Sequence, residues 1–162
     1  MIGTKFLQSH ALFGGVSDEE IRMVRAYLEE ARFAKGTQIC TEGEPNDRLF
    51  FICEGSVSIV KRASAADDDP ETIARLGAGD AFGEMELIDI QPCVATVTAE
   101  EDVTALTLSN RALYRIYKAN LKTYAMIVLN MAREISRRLR RMDAVVATAL
   151  EAQENDGKAI EP

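Results

Sequence analysis

LFFICEGSVSIVK, residues 49–61, reads as two short strands folded back on each other around Glu54-Gly55. Leu49–Cys53 is an apolar run rich in aromatic and β-branched side chains, and Val57–Lys61 repeats that preference after the turn. The glycine supplies the backbone freedom a tight reversal needs. The same grammar extends outward from Phe33 to Leu108. Thr37–Cys40, Thr72–Leu76, Val94–Ala99 and Val103–Leu108 are further short runs. Gly36, Glu42-Gly43-Glu44-Pro45-Asn46-Asp47, Gly77-Ala78-Gly79-Asp80 and Gln91-Pro92 punctuate them. Short strands at nearly regular spacing predict a mainly β fold, a sandwich, roll or barrel, because parallel α/β units need longer helical crossovers. The acidic stretch Ala63–Pro70 reads as a solvated hairpin tip.

Helices flank this β region. Residues 1–16 carry apolar side chains without a clear period and read as a short helical lead-in. Ser17-Asp18-Glu19-Glu20 is a capping box, and Ile21, Val24 and Leu28 follow at helical steps, predicting a helix from Asp18 to about Glu30. Ser109 caps a predicted helix over Arg111–Lys118, and a much longer helix starts near Leu121. On it Met131, Ile135, Leu139, Met142, Val146 and Ala149 form one apolar stripe. The organisation is therefore an N-terminal helical segment (1–32), a β unit (33–108), C-terminal hinge and dimerisation helices (109–150) and a disordered tail (151–162).

Composition excludes several classes of function. The chain has 162 residues, 47% hydrophobic and 28% charged, as expected of one soluble globular domain. Its net charge of −7 argues against broad contact with phosphate backbones. Three cysteines (Cys40, Cys53, Cys93) without CxxC spacing read as reduced thiols of a cytoplasmic protein. A single histidine, His10, offers neither a zinc site nor a convincing catalytic triad, so no enzymatic activity is expected and a metal-dependent barrel is remote. His10 itself reads as a surface residue, and Cys40 and Cys53 as core. The start of the chain lacks a signal-peptide pattern. The longest apolar run, Tyr124–Leu129, is too short to span a bilayer.

The chemistry-bearing stretch is Gly79-Asp80-Ala81-Phe82-Gly83-Glu84-Met85-Glu86-Leu87-Ile88, ending in Gln91-Pro92-Cys93-Val94-Ala95-Thr96-Val97. It reads as a strand end, a glycine, a turn or two of helix, a proline stop and a strand. Gly83 at the helix start permits close backbone approach to a ligand, and the free amides there form a nest for an anion. Glu84 is placed to accept hydrogen bonds from sugar hydroxyls.

These segments in this order resemble the cyclic nucleotide-binding domain family. The likeness covers Leu12 to Met142 and includes Gly43 and Gly55 on either side of Asp47–Glu54. It implies an eight-stranded β-roll (jelly roll) with an N-terminal helical segment and a long C-terminal helix. It implies ligand-binding positions at Phe82, Gly83, Glu84, Met85, Cys93 and Val94, with Glu84 on the ribose hydroxyl and the Gly83 and Met85 region on the cyclic phosphate. At the position after the proline, where the family has an arginine, this chain has Cys93. Val94 is branched where Ala or Ser is usual, and Glu86 adds a negative charge. One lost hydrogen bond to a charged group is worth about 1.5–3 kcal/mol, or about one to two decades of affinity.

The resemblance therefore implies a non-catalytic sensor or regulatory module with weakened or lost cAMP and cGMP binding, and no other cofactor. The alternative is a truncated regulator of the catabolite-activator superfamily that still binds a cyclic nucleotide and uses its basic C-terminal helix on DNA. Arg133, Arg137, Arg138, Arg140 and Arg141 are the residues such a use would need, but they read more simply as solvated flanks of a coiled-coil seam. The expected partner is a second copy through Met131–Ala149, with a protein partner also open; direct DNA binding and membrane contact are not expected. About 20 residues after Met142 leave no room for a helix-turn-helix. Arg75 is a remote candidate to replace the missing cation.

Overall fold

The computed structural model describes residues 2–61 and 71–158, the side chains of Glu71 and of residues 149–158 excepted. Helices α1 (Thr4–Ser9) and α2 (Asp18–Arg25), joined through a 3-10 turn at Ala11–Phe13, precede the strands. Eight strands follow: β1 (Glu29–Phe33), β2 (Gln38–Cys40), β3 (Arg48–Glu54), β4 (Ser56–Lys61), β5 (Glu71–Gly77), β6 (Ala81–Phe82), β7 (Thr96–Ala99) and β8 (Val103–Ser109). Helix α3 (Glu84–Asp89) lies between β6 and β7, and α4 (Asn110–Ala119) and α5 (Leu121–Lys158) end the chain. The strands form two antiparallel four-stranded sheets, ordered β1-β8-β3-β6 and β2-β7-β4-β5. This is the eight-stranded roll that the resemblance implied, and it narrows the sandwich, roll or barrel read from the strand spacing.

Period-two alternation divides the apolar residues between two cores. Leu49 and Phe51 of β3, with Leu106 and Leu108 of β8, face the helices and pack with Leu7, Phe13, Ile21, Val24, Ile116, Ile127 and Met131. Phe50 and Ile52, with Val103 and Ala105, face inward and pack with Val57, Phe82, Cys93 and Val97. One sheet thus carries the roll interior on one face and the helical layer on the other. Gly55 has φ +84, and a Cβ there would lie 2.4 Å from the Asp102 carbonyl oxygen, so only glycine fits this β3–β4 turn.

The capping box forms: the Glu20 amide donates to Ser17 Oγ at 3.3 Å and the Ser17 amide to Glu20 at 2.8 Å. Those bonds hold the Glu20 carboxyl down to about 2. The helix is shorter than predicted, however. Single-turn bonds from Tyr27 to Val24 (2.8 Å) and Leu28 to Arg25 (3.2 Å) close it, and Glu29–Phe33 leaves to pair with β8. The strand region therefore opens at Glu29 rather than Phe33. At the other end α5 continues to Lys158, through residues expected to be a disordered tail. The Ala, Glu and Gln residues there favour helix. Residues 159–162 and the whole of the predicted Ala63–Pro70 loop lie outside the described residues.

Helix α5 is anchored by Asn130, a buried residue whose side-chain amide donates to the carbonyls of Leu12 (3.1 Å) and Gly14 (2.9 Å). Met131, expected on the dimer stripe, is instead fully buried in the chain's own core, because this stretch of α5 lies on the N-terminal segment. Ile135 is half-buried, and only from Leu139 onward does the stripe become exposed, at Leu139, Met142 and Val146. The side chain of Ala149 is outside the described residues.

Candidate functional site

The site is built on the β6–α3–β7 segment. Gly83 caps α3 with φ +88, and a Cβ there would meet the Arg48 carbonyl oxygen at 2.4 Å and Asn46 Nδ2 at 3.1 Å. A close approach that demands glycine here is thus to the chain's own β3 entrance. Asn46 fixes that entrance by donating to the Arg48 carbonyl at 2.7 Å and accepting from the Arg48 amide at 3.1 Å. Phe82 points into the roll and stacks on Phe50 at 4.8 Å between centroids. Met85 is exposed, so its side chain lines no closed pocket.

Glu84 is buried, and Arg138 of α5 reaches it at 2.6 Å while a second guanidinium nitrogen donates to the Ala81 carbonyl at 2.7 Å. Burial pushes the Glu84 carboxyl above its usual range, with the Arg138 charge opposing that rise. Arg138 belongs to the basic run read as solvated flank. The other members fit that reading better: Arg137 and Arg141 pair with Glu134, Arg140 donates to Ser136, and Arg133 donates to Asn130. Arg138 sits on the edge of the apolar stripe, three residues after Ile135 and four before Met142. A charged residue at that helical position was the available signal that it has a partner across the fold.

The far end of the site is acidic. Glu86 is buried, and its carboxylate accepts a hydrogen bond from the Val94 amide at 3.4 Å. The Val94 side chain is exposed. Cys93 is buried in the same inner core as Cys40. Burial raises the Cys93 thiol, and the Glu86 charge adds to the rise. Arg75 points outward and pairs with Glu100 at 2.9 Å, so it does not replace the missing cation.

His10, expected on the surface, is half-buried instead, with its ring turned inward. Its Nδ1 accepts from the Leu12 amide at 3.2 Å, and its ring meets Phe51 edge-on at 5.0 Å. Its Nε2 is buried and has no partner among the described residues. The ring lines a cavity of about 160 Å³ shared with Gly79, Asp80, Glu84, Glu134 and Arg138. Burial lowers the His10 imidazole, while Asp80 and Glu134 partly restore it. Among the described residues no cluster of His, Cys, Asp and Glu is suited to a metal ion, and no helix is long and apolar enough to cross a membrane.

The order of strands, the glycine-capped α3 and the buried glutamate behind it can be compared with known proteins. The profile of the cyclic nucleotide-binding domain matches residues 30–120. The chain belongs to the cyclic nucleotide-binding domain family. It is 31% identical over 137 residues to the CRP-like cAMP-activated global transcriptional regulator of Mycobacterium tuberculosis, a match covering 85% of this chain and 58% of that protein. The chain thus spans less than two thirds of that relative. It is similar to a cyclic nucleotide-binding domain of Methylobacillus flagellatus, with a TM-score of 0.78, 29% identity and coverage of 90% and 81% of the two chains. It is also similar to the regulatory subunit of a cAMP-independent protein kinase A from Trypanosoma brucei, with a TM-score of 0.67, 26% identity and coverage of 82% and 45%.

Proposed function

We propose that the chain is a non-catalytic regulatory module of the cyclic nucleotide-binding family in which Glu86 fills the anion subsite from within, so that cAMP and cGMP bind weakly or not at all. The observation that carries this reading is the Glu86–Val94 contact. An amide on the loop after the proline, next to the position that holds the family's arginine, already donates to a carboxylate. The residues at that end do not fit a cyclic phosphate. Cys93 supplies at most a weak S–H donor, and Glu86 repels a second anion. The nearby arginines have other partners, Arg138 on Glu84 and Arg75 on Glu100.

The output element is α5. Its Arg138 ties the cassette at Glu84 to the helix, while Asn130 ties the helix to the N-terminal segment. An effector that moved α3 would strain both ties, and a shift between two helix positions requires different effector affinity for each. The exposed stripe Leu139, Met142 and Val146 supports pairing of α5 with a second copy in a cytoplasmic homodimer. Met142→Lys is expected to convert the dimer to monomer in analytical ultracentrifugation.

The decisive test of the subsite is restoration. Cys93→Arg with Val94→Ala and Glu86→Ala returns a cation, space and a free amide. This variant is expected to bind cAMP or cGMP at least about ten- to a hundred-fold more tightly than the parent chain. No gain in a properly folded variant overturns the reading. A salt-dependent mobility shift of DNA by the parent chain would favour the alternative of a DNA-binding regulator.

A further inference from the structure

His10 caps the Ala11–Phe13 turn with its own ring. The ring Nδ1 accepts from the Leu12 amide at 3.2 Å, and an imidazole nitrogen that accepts carries no proton. The neutral ring therefore holds its hydrogen on Nε2. That N–H is buried and has no partner among the described residues, and the ring lines the cavity beside Asp80, Glu84, Glu134 and Arg138. The turn is also the seat of α5, since the Leu12 and Gly14 carbonyls accept from Asn130 at 3.1 Å and 2.9 Å.

We propose that His10 is a proton-operated latch. Neutral, it holds the Ala11–Phe13 turn and with it the seat of α5; protonated, it releases the Leu12 amide and turns its charge into the cavity. A solvent proton enters on the Nδ1 lone pair, which is the lone pair that the Leu12 N–H uses. Two N–H donors then face each other, and the cap is lost. The cavity can receive the imidazolium. Asp80 enters it from the β5–β6 turn, Glu84 from α3, and Glu134 and Arg138 from α5. Three carboxylates against one guanidinium leave an excess of two negative charges. Arg138 is engaged with Glu84 at 2.6 Å, and Glu134 is shared among Arg137, Arg138 and Arg141. Asp80 accepts from the Gly77 amide at 2.9 Å and has no cationic partner among the described residues, so it is the open carboxylate. The other neighbours, Phe6, Phe13 and Phe51, bring rings and no titratable group.

The surroundings set the direction of the switch. Burial disfavours the charged ring while Asp80 and Glu134 favour it, so the latch opens on the acid side of the ordinary histidine value. The core itself is not the moving part, because the Leu12 and Phe13 side chains belong to the same buried cluster as Leu7, Phe51, Ile127 and Met131. What changes is the backbone of the turn against Asn130. The latch works whether or not a cyclic nucleotide binds.

Nuclear magnetic resonance of the full, isotope-labelled chain tests it, because His10 is the only histidine and its ring signals are unambiguous. Between about pH 8 and about pH 5 the imidazole is expected to start as the Nε2–H tautomer and to protonate with a midpoint below 6.5. The Leu12 amide and the Asn130 side-chain amide are expected to shift with that same midpoint while circular dichroism stays constant. His10→Asn keeps an acceptor for Leu12 and cannot titrate, so both shifts are expected to vanish. Asp80→Asn removes the open carboxylate and is expected to lower the midpoint. An Nδ1–H tautomer at neutral pH overturns the proposal. So does a Leu12 or Asn130 amide that ignores the ring's midpoint, a pH response that survives in His10→Asn, or loss of the whole fold over the same range. An unchanged midpoint in Asp80→Asn overturns it as well, whatever the stability of His10→Asn.

Discussion

Replacing Arg138 by Met keeps most of the side chain's apolar length and removes its charge. Two bonds are lost, the 2.6 Å contact with Glu84 and the 2.7 Å contact with the Ala81 carbonyl. The Glu84 side chain is 4% exposed, so the carboxylate left behind has little water to turn to, while Arg138 is 32% exposed and already partly solvated. Breaking a fully buried pair costs about 3–5 kcal/mol. With one partner at the surface, and with Glu84 free to take up a proton, the cost falls to the floor of that range or just under it, about 2–3 kcal/mol. For a chain of this size that is a Tm decrease of about 4–12 °C. Urea unfolding followed by circular dichroism at pH 7 measures it. Adding Glu84→Gln to Arg138→Met should recover at least half of the loss, since no charge then remains to be satisfied. A loss below about 0.5 kcal/mol, or a double variant whose losses simply add, would show that the pair does not hold α5 to the cassette.

Three further outcomes follow from the same geometry. Gly83→Ala places a Cβ 2.4 Å from the Arg48 carbonyl oxygen at φ +88 and should cost about 2–4 kcal/mol in urea unfolding; a neutral result would refute the claim that β3 sets this glycine. The His10 imidazole is lowered by burial, so its contribution to stability is complete above the unfolded value of 6.5 and is lost as pH falls through the folded value. His10→Asn, which retains a cap for Leu12, should flatten that acid-side decline in thermal melts; an unchanged slope would count against it. Glu84 is raised by burial, so its contribution is complete below the unfolded carboxyl range and is lost as pH climbs through the folded value. Arg138→Met should extend that loss to higher pH, and a Glu84→Gln chain should not show it.

How much of this could be read from residues alone depended on the range of each interaction. Strands β3, β4, β5 and β8 were legible because alternation and a Gly55 turn are local signals, and the Ser17 and Ser109 caps were legible for the same reason. Strand β1 was not, because Glu29 and Glu30 continue a good helical pattern and only the pairing with Val103–Thr107 draws them into the sheet. Strand β6 has two residues, too few to show a period. The β6–α3–β7 segment stood out by its glycine, glutamate and proline, yet the partner of Glu84 lies 54 residues away on α5. His10 was misplaced because residues 1–16 have no period to mark an inner face. Gly83 was noticed for its conformation, while its neighbours Arg48 and Asn46, more than thirty residues earlier in the chain, carried no local signal.

Titration calorimetry of the unaltered, reduced chain with cAMP and with cGMP puts the occupied anion subsite to its most direct trial. With Glu86 on the Val94 amide and Cys93 in place of a cation, neither nucleotide should give saturable heat below about 100 μM. One-to-one binding of either nucleotide with a Kd of a few micromolar would contradict the account.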